Sequence, residues 1–203
     1  SRLSDGSIIV ARAIIQTLAP KEYDSYMVLL RDWHSQALVS KNKLVWSSLR
    51  LQTKLDDIGS LIENQPVTPA DAKVLIQKLV YYADAWFLAN FNKPLIKEEF
   101  EAWAHGPVVR SLYAKYRAKG WEALSPETGP GVPKDIENYL EAVFDEYGQY
   151  GAKKLEKMTH SEQPWLVARG SLSPEAASTT NISKLLMRNY YGGKIEKEPI
   201  QTL

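Results

Sequence analysis

The sequence predicts a mainly α-helical protein: a compact multi-helix domain with at most one or two short strands, preceded by an N-terminal helical extension. Apolar residues recur at spacings of three and four along most of the chain, which is the period of an amphipathic helix. Proline, glycine and small polar residues interrupt these segments at positions typical of helix starts and ends. Of the 203 residues, 44% are apolar and 24% are charged, so the chain is able to bury a sizeable core.

The first 64 residues predict three helices. Residues 8–18 are rich in apolar side chains, and Pro20 separates them from a second amphipathic segment over residues 22–39. Ser40 is placed to cap a third helix that continues to about residue 63. This region either packs onto the rest of the protein as a helical hairpin or contributes to the choice of partner.

The clearest internal boundary lies at residues 64–67, before a new helix start. We therefore expect three regions along the chain. They are an N-terminal helical extension over residues 1–64, a main domain over residues 65–191 and a C-terminal tail over residues 192–203.

The main domain is predicted to begin with its central helix. Thr68 is placed to cap this helix, Pro69 suits its first position, and Asp71 lies where a carboxylate is favoured by the helix dipole. The helix continues to about residue 89, and its apolar face is broad. That breadth predicts a mostly buried helix at the centre of the fold.

The following segments are shorter. Residues 93–103 predict a loop with one short strand at most, and Gly106 and Pro107 predict the start of a helix that ends at Gly120. Residues 125–131 hold two prolines and two glycines and predict a surface loop. Later helices are expected over residues 133–147, 152–158 and 161–169, and over a last segment that Asn181 caps and Gly192 and Gly193 terminate.

Charge and composition argue against several functional classes. The net charge is +1, from 25 basic and 24 acidic residues, so strong attraction to nucleic acid or to a membrane surface is not expected. The chain has no cysteine, which excludes disulfides, thiolate nucleophiles and cysteine zinc sites. No segment has the features of a signal peptide or a membrane span, so we expect a cytoplasmic protein.

The sequence also lacks an evident catalytic constellation. Its three histidines are far apart, and no metalloprotease helix motif, nucleophile elbow, phosphate-binding loop or dinucleotide fingerprint is present. We therefore expect neither an enzyme nor a bound cofactor or metal. A hidden metal site remains as a minor alternative, in which His105 is joined by Asp84, Glu98, Glu99 and Glu101. The other interpretation is that His105 and His160 each hold a loop through ring hydrogen bonds.

Three segments together resemble the Panacea domain family, whose members are also described as SocA-like or GepA-like. They are residues 79–86 (LVYYADAW), residues 101–113 with EAWAHGPVV followed by LY, and residues 155–165 with MTH followed by PW. The resemblance implies a non-enzymatic bacterial or prophage antitoxin, part of a toxin–antitoxin pair, that neutralises a cognate protein toxin by direct binding. It covers about residues 70–191 and does not extend to the first 64 residues.

The motif residues are also the candidates for partner binding. They are Asp84, Trp86, Trp103, His105, Gly106, Pro107, Arg110, Thr159, His160 and Trp165. Turns, caps and aromatic packing account for most of them more simply than toxin contact does. Asp84 lies among apolar positions and must be exposed or paired, so we expect a partner in His105, His160 or Arg110.

The sequence has six tryptophans and eleven tyrosines, and we expect at least one tryptophan to be partly exposed. Such residues are favoured as interface anchors. Further anchor candidates are Trp33, Trp46, Trp121, Tyr190 and Tyr191. A homo-oligomer and a toxin–antitoxin heteromer are both open. Two alternative functions are a DNA-binding regulator of its own operon and a hydrolase with a cryptic histidine and carboxylate site.

Overall fold

The computed structural model describes residues 69–118 and 134–195. The predicted N-terminal helices, the predicted loop over residues 125–131, the cap Thr68 and most of the predicted tail lie outside these ranges. The described residues form six helices and two short strands. The helices are α1 Pro69–Phe91, α2 Arg110–Ala118, α3 Lys134–Tyr147, α4 Ala152–His160, α5 Gln163–Arg169 and α6 Lys184–Gly192, and the strands are β1 Glu101–Trp103 and β2 Gly106–Val108. The prediction of a mainly α-helical fold with one or two short strands is confirmed.

Helix α1 lies at the centre of the fold, as its broad apolar face predicted. It packs against α2, α3, α4, α6 and β2. Every residue from Ile76 to Leu88 is buried, so this stretch is enclosed on all sides. The enclosure is consistent with apolar side chains all around the helix, because a helix of that kind is stable only inside a core.

The two strands form an antiparallel hairpin in which Trp103 lies opposite Gly106. The connector before α6 extends this sheet along the other edge of β1. The amide of Ala102 donates to the carbonyl of Thr180 over 2.9 Å, and the amide of Ile182 donates to the carbonyl of Phe100 over 2.7 Å. The hairpin is therefore attached to the C-terminal part of the domain by backbone hydrogen bonds.

The predicted helix start at Gly106 and Pro107 is wrong, because both residues belong to β2 and helix α2 begins at Arg110. The reason is a tertiary contact between α1 and the backbone of Val109. The side chain of Gln77 on α1 accepts from the amide of Val109 over 2.9 Å and donates to its carbonyl over 3.3 Å. These two bonds satisfy the backbone just ahead of α2 and hold the preceding residues in an extended conformation.

The predicted cap of the last helix is also wrong. Asn181 pairs with Glu101 as an isolated β-bridge, and α6 begins three residues later. The observed cap is Ser183, whose hydroxyl accepts from the amide of Leu186 over 3.3 Å. Two small polar residues near one another both fit the capping pattern, and the pairing with β1 decided between them.

Candidate interaction site

Three sequence segments meet around Gly106. Its φ angle is 97°, in the left-handed region that favours glycine. A Cβ atom at this position would lie 2.6 Å from Nζ of Lys78 and 2.8 Å from Oγ1 of Thr159. Lys78 also donates from Nζ to the carbonyl of Pro107 over 3.3 Å. Glycine at position 106 therefore allows α1, the hairpin and α4 to approach closely.

Lys78 is a buried amine at this junction, with 1% of its surface exposed. Burial lowers the pKa of Lys78 to about 7, and the nearby carboxylate of Glu156 opposes this effect. A large fraction of the lysine is therefore neutral near pH 7, which reduces the cost of enclosing it. The hydroxyl of Thr159, the other group close to Gly106, donates to the carbonyl of Glu156 over 2.8 Å.

The third motif contacts the hairpin through Trp165. Its indole Nε1 donates to the carbonyl of Trp103 over 3.1 Å. On the other side, His160 stacks on the Trp165 ring with centroids 4.0 Å apart and planes 12° apart. Nε2 of His160 is buried without a hydrogen-bond partner among the described residues, so stacking is the contact that the structure shows for this imidazole there.

Arg169 at the end of α5 organises the connector to α6. Its Nη1 donates to the carbonyls of Ala102 and Ala176, over 3.3 and 2.7 Å. Its Nη2 donates to the carbonyls of Ser173 and Pro174, over 2.5 and 3.0 Å. Arg169 is 4% exposed, so one buried side chain satisfies four carbonyl groups of the hairpin and the connector.

Asp84 joins a loop and a helix to α1. Its Oδ1 accepts from the amides of Leu95 and Ile96, over 2.6 and 3.0 Å. Its Oδ2 lies 3.4 Å from Nζ of Lys184 on α6. Burial raises the pKa of Asp84 to about 6, although Lys184 and the two amides lower it. The expected pairing of Asp84 with His105, His160 or Arg110 is therefore wrong.

A cluster of aromatic rings surrounds a second buried carboxylate, Glu162. The hydroxyls of Tyr191 and Tyr82 donate to it over 2.6 and 3.4 Å. Tyr82 stacks on Tyr147 with centroids 3.9 Å apart, and the hydroxyl of Tyr147 accepts from Nε1 of Trp86 over 2.7 Å. Burial raises the pKa of Glu162 to about 7, against the lowering effect of Tyr191 and Lys194.

The exposed motif residues lie at the hairpin and the start of α2. The side chain of His105 is 73% exposed, and its Nδ1 lies 3.0 Å from Oε1 of Glu156. The side chain of Arg110 is 63% exposed and forms two hydrogen bonds with Glu101, over 2.8 and 3.0 Å. Trp103 is half-buried, which confirms that at least one tryptophan is partly exposed.

Comparison with known proteins agrees with this arrangement of motifs. Residues 76–166 match the family model described as Antitoxin SocA-like, Panacea domain. This segment is similar to the SocA-like Panacea domain family. The chain is also 30% identical over 114 residues to the protein named Antitoxin SocA from Caulobacter vibrioides (strain NA1000 / CB15N). That alignment covers 49% of this chain and 61% of the relative, so the chain spans about three fifths of its length. No solved structure matches the chain.

Within the described residues, the ten motif residues fall into three groups. Two are exposed, His105 and Arg110, and two are half-buried, Trp103 and His160. The remaining six are buried: Asp84, Trp86, Gly106, Pro107, Thr159 and Trp165. The buried residues are engaged in contacts within the domain, and the role of any motif residue in partner binding stays a prediction.

The sequence analysis did not identify several residues that hold the domain together. They are Gln77, Lys78, Glu162, Arg169 and Lys184. One signal was available, since Gln77 and Lys78 interrupt an otherwise apolar run on the predicted central helix. A polar side chain in a buried helix needs an internal partner, so that position predicts a structural role. Arg169 and Lys184 carry no comparable signal.

The minor alternative of a metal site at His105 finds no support in the described residues. In residues 69–118 and 134–195, no three histidine or carboxylate side chains are grouped as metal ligands. His105 is paired with Glu156, and Asp84 faces the loop and α6. No helix in the part of the chain that the structure describes is long and apolar enough to cross a membrane.

Proposed function

We propose that this protein is an antitoxin that binds a protein toxin directly and neutralises it in the bacterial cytoplasm. The observation that carries the proposal is the match of residues 76–166 to the Antitoxin SocA-like, Panacea domain family. The relative named Antitoxin SocA supports the same role. In this proposal the protein works by occupying the toxin's surface and performs no catalysis.

The arrangement of side chains supports a binding role. Three ionisable groups have a pKa shifted to about 6 or 7, the range in which a side chain can exchange protons near neutral pH: Lys78, Asp84 and Glu162. All three are buried and bonded to other groups of the protein, so they are not placed to act on a substrate. The exposed part of the motif carries Arg110, beside the half-buried Trp103. Arginine and tryptophan are enriched among the residues that dominate protein–protein affinity.

The experiment is co-expression with the toxic protein encoded by the adjacent reading frame. We expect growth to be restored by the full chain, and we expect the two proteins to purify together through size exclusion. Equal toxicity with and without this protein would overturn the proposal. Turnover of a substrate by the purified chain alone would also overturn it.

The proposal also assigns separate roles to the main domain and to the N-terminal extension. We assign neutralisation to residues 65–191 and a supporting role in partner choice to residues 1–64. A chain that lacks residues 1–64 should retain a helical circular dichroism spectrum and still co-purify with the same toxin. A folded variant that no longer binds would place the main contacts in the extension instead.

A further inference from the structure

A carboxylate on β1 positions two large side chains, the half-buried Trp103 of the hairpin and the exposed Arg110 at the start of α2. Glu101 accepts from Nε and Nη2 of Arg110, over 2.8 and 3.0 Å. Its Oε2 also accepts from Nε1 of Trp103 over 2.7 Å. The side chain of Glu101 is only 13% exposed, and the hydrogen bonds from Arg110 and Trp103 lower its pKa, so the carboxylate is ionised at neutral pH. Trp103 and Arg110 are thus held in fixed orientations before any partner arrives.

Helix α2 extends this surface away from the hairpin. Arg110, Tyr113, Ala114 and Arg117 are exposed and follow the spacing of one helix face. Tyr113 is 38% exposed, and its ring contacts Trp103 edge-on with centroids 4.7 Å apart. We define the α2 face as Trp103, Arg110, Tyr113, Ala114 and Arg117.

The composition of the α2 face matches that of a binding hot spot. Tryptophan, tyrosine and arginine are enriched among the few residues that dominate the affinity of protein–protein interfaces. The contact between the two aromatic rings and the hydrogen bonds to Glu101 hold Trp103, Tyr113 and Arg110 in place. Less conformational entropy is therefore lost when a partner binds. The short side chain of Ala114 leaves room between the larger residues for a partner side chain to approach.

The charges of the face indicate what the partner presents. Glu101 occupies one edge of the Arg110 guanidinium, and Nη1 makes no hydrogen bond within the described residues. Arg117 is exposed, and none of the ion pairs within residues 69–118 and 134–195 involves it. Two guanidinium groups beside an aromatic pair suit an apolar side chain flanked by carboxylates.

We propose that the α2 face is the toxin-docking surface of this domain. An apolar or aromatic side chain of the toxin packs against Trp103 and Tyr113, and acidic side chains beside it pair with Arg110 and Arg117. The inference rests on the proposed antitoxin function and adds the contact face and the chemistry of the partner. A nucleic acid fits less well, because two guanidiniums on a chain of net charge +1 provide few phosphate contacts.

The test measures the affinity of the full-length protein for the purified toxin encoded by the adjacent gene. Tyr113→Ala and Arg117→Glu should each weaken binding at least about tenfold. Leu185→Ala on α6 is a matched control for loss of an exposed apolar side chain, since Leu185 is 58% exposed. Lys153→Glu on α4 is the control for charge reversal. Both controls should change the affinity less than threefold.

The salt dependence of the affinity measures how much the charged residues of the α2 face contribute to binding. Binding by the unaltered protein should weaken as sodium chloride rises, and Arg117→Glu should flatten that dependence. Thermal unfolding of each variant checks the fold. Arg117 is exposed and takes part in none of the ion pairs among the described residues, so Arg117→Glu tests the surface even if Tyr113→Ala is unstable.

The binding measurements distinguish failure of the docking-surface inference from failure of the antitoxin proposal. If both variants bind the toxin as tightly as the unaltered protein, the α2 face is not the docking surface, although the antitoxin role stands. If the unaltered protein fails to bind, the antitoxin proposal itself fails. A gel shift with operator DNA that Arg117→Glu abolishes, with toxin affinity unchanged, would assign the face to nucleic acid and overturn the inference.

Discussion

At the scale of single residues, Gly106 shows how a motif position is determined by its neighbours. The sequence indicated a turn at Gly106 and Pro107, and the structure explains the glycine by a positive φ angle and the close approach of Lys78 and Thr159. These are two separate penalties for any side chain. The first belongs to the backbone of the glycine, and the second belongs to helices that are distant in the sequence.

Replacement of this glycine should therefore destabilise the domain. We expect Gly106→Ala to lower the free energy of unfolding by about 2–4 kcal/mol, because the alanine is strained at positive φ and displaces two buried groups. Gly192→Ala is the matched control, since a Cβ at that position meets no atom within 4 Å. The control should be neutral or slightly stabilising. Equal chemical denaturation midpoints for the two variants would contradict the explanation.

Arg169 is a second residue whose effect is specific to its chemical group. Its two amino groups reach four carbonyls, a geometry that the single ammonium of lysine does not reproduce. We expect Arg169→Lys to cost about 2–3 kcal/mol and to accelerate hydrogen exchange at the amides of Ala102 and Ile182. Arg117→Lys, a change at an exposed position, should cost less than about 0.5 kcal/mol. Unchanged exchange at both amides would argue against a role for Arg169 in holding the connector.

At the scale of elements, Asp84 links three parts of the chain. It lies on α1, accepts from the loop amides at Leu95 and Ile96, and faces Lys184 at the start of α6. Lys184 in turn donates to the carbonyl of Ile96. The loop between α1 and β1 is therefore held by side chains instead of by a sheet or helix ladder.

Loss of the Asp84 carboxylate should release this linkage. We expect Asp84→Ala to cost about 3–5 kcal/mol, because it leaves two buried amides and a largely enclosed lysine without their partner. Asp84→Asn keeps an acceptor oxygen for the amides and should cost less than the alanine variant. Equilibrium denaturation of both variants gives the comparison. A cost below about 0.5 kcal/mol for Asp84→Ala would indicate a solvated residue, contrary to the structure.

At the scale of the whole molecule, Lys78 and Glu162 make stability depend on pH in opposite directions. The pKa of Glu162 is raised from 4.5 to about 7, so the folded state binds the extra proton between these values and loses stability as pH rises through that window. The pKa of Lys78 is lowered from 10.5 to about 7, so the unfolded state binds the extra proton and stability rises with pH above 7.

Two variants that remove the ionisable group separate these contributions. Glu162→Gln should gain stability relative to the unaltered protein as pH rises from 4.5 to 7, by at most about 1.4 kcal/mol per pH unit. Lys78→Met should lose stability relative to it as pH rises from 7 to 9.5, with the same limiting slope. Denaturation at a series of pH values measures both differences. Parallel pH profiles for all three proteins would contradict the burial of these two groups.

The sequence by itself determined the class of fold and the approximate position of its main helix. A broad apolar stretch after Thr68 predicted the buried helix α1, and the breaks at proline and glycine predicted most of the later segments. Both rest on local periodicity and local backbone preference, which a single segment carries in its own residues. The three motifs in register indicated the family for the same reason, since their residue types and spacing can be read directly from the chain.

Only the tertiary structure decided which polar residues meet. The pairing of Asp84 with Lys184, the bonds from Arg169 to the connector and the extended conformation at Pro107 all depend on contacts between distant segments. The grouping of Trp103 with Tyr113 and Arg110 into one exposed face arises in the same way, across a hairpin and a helix. Such partners are chosen by the packing of whole elements, and residue spacing alone does not specify that packing.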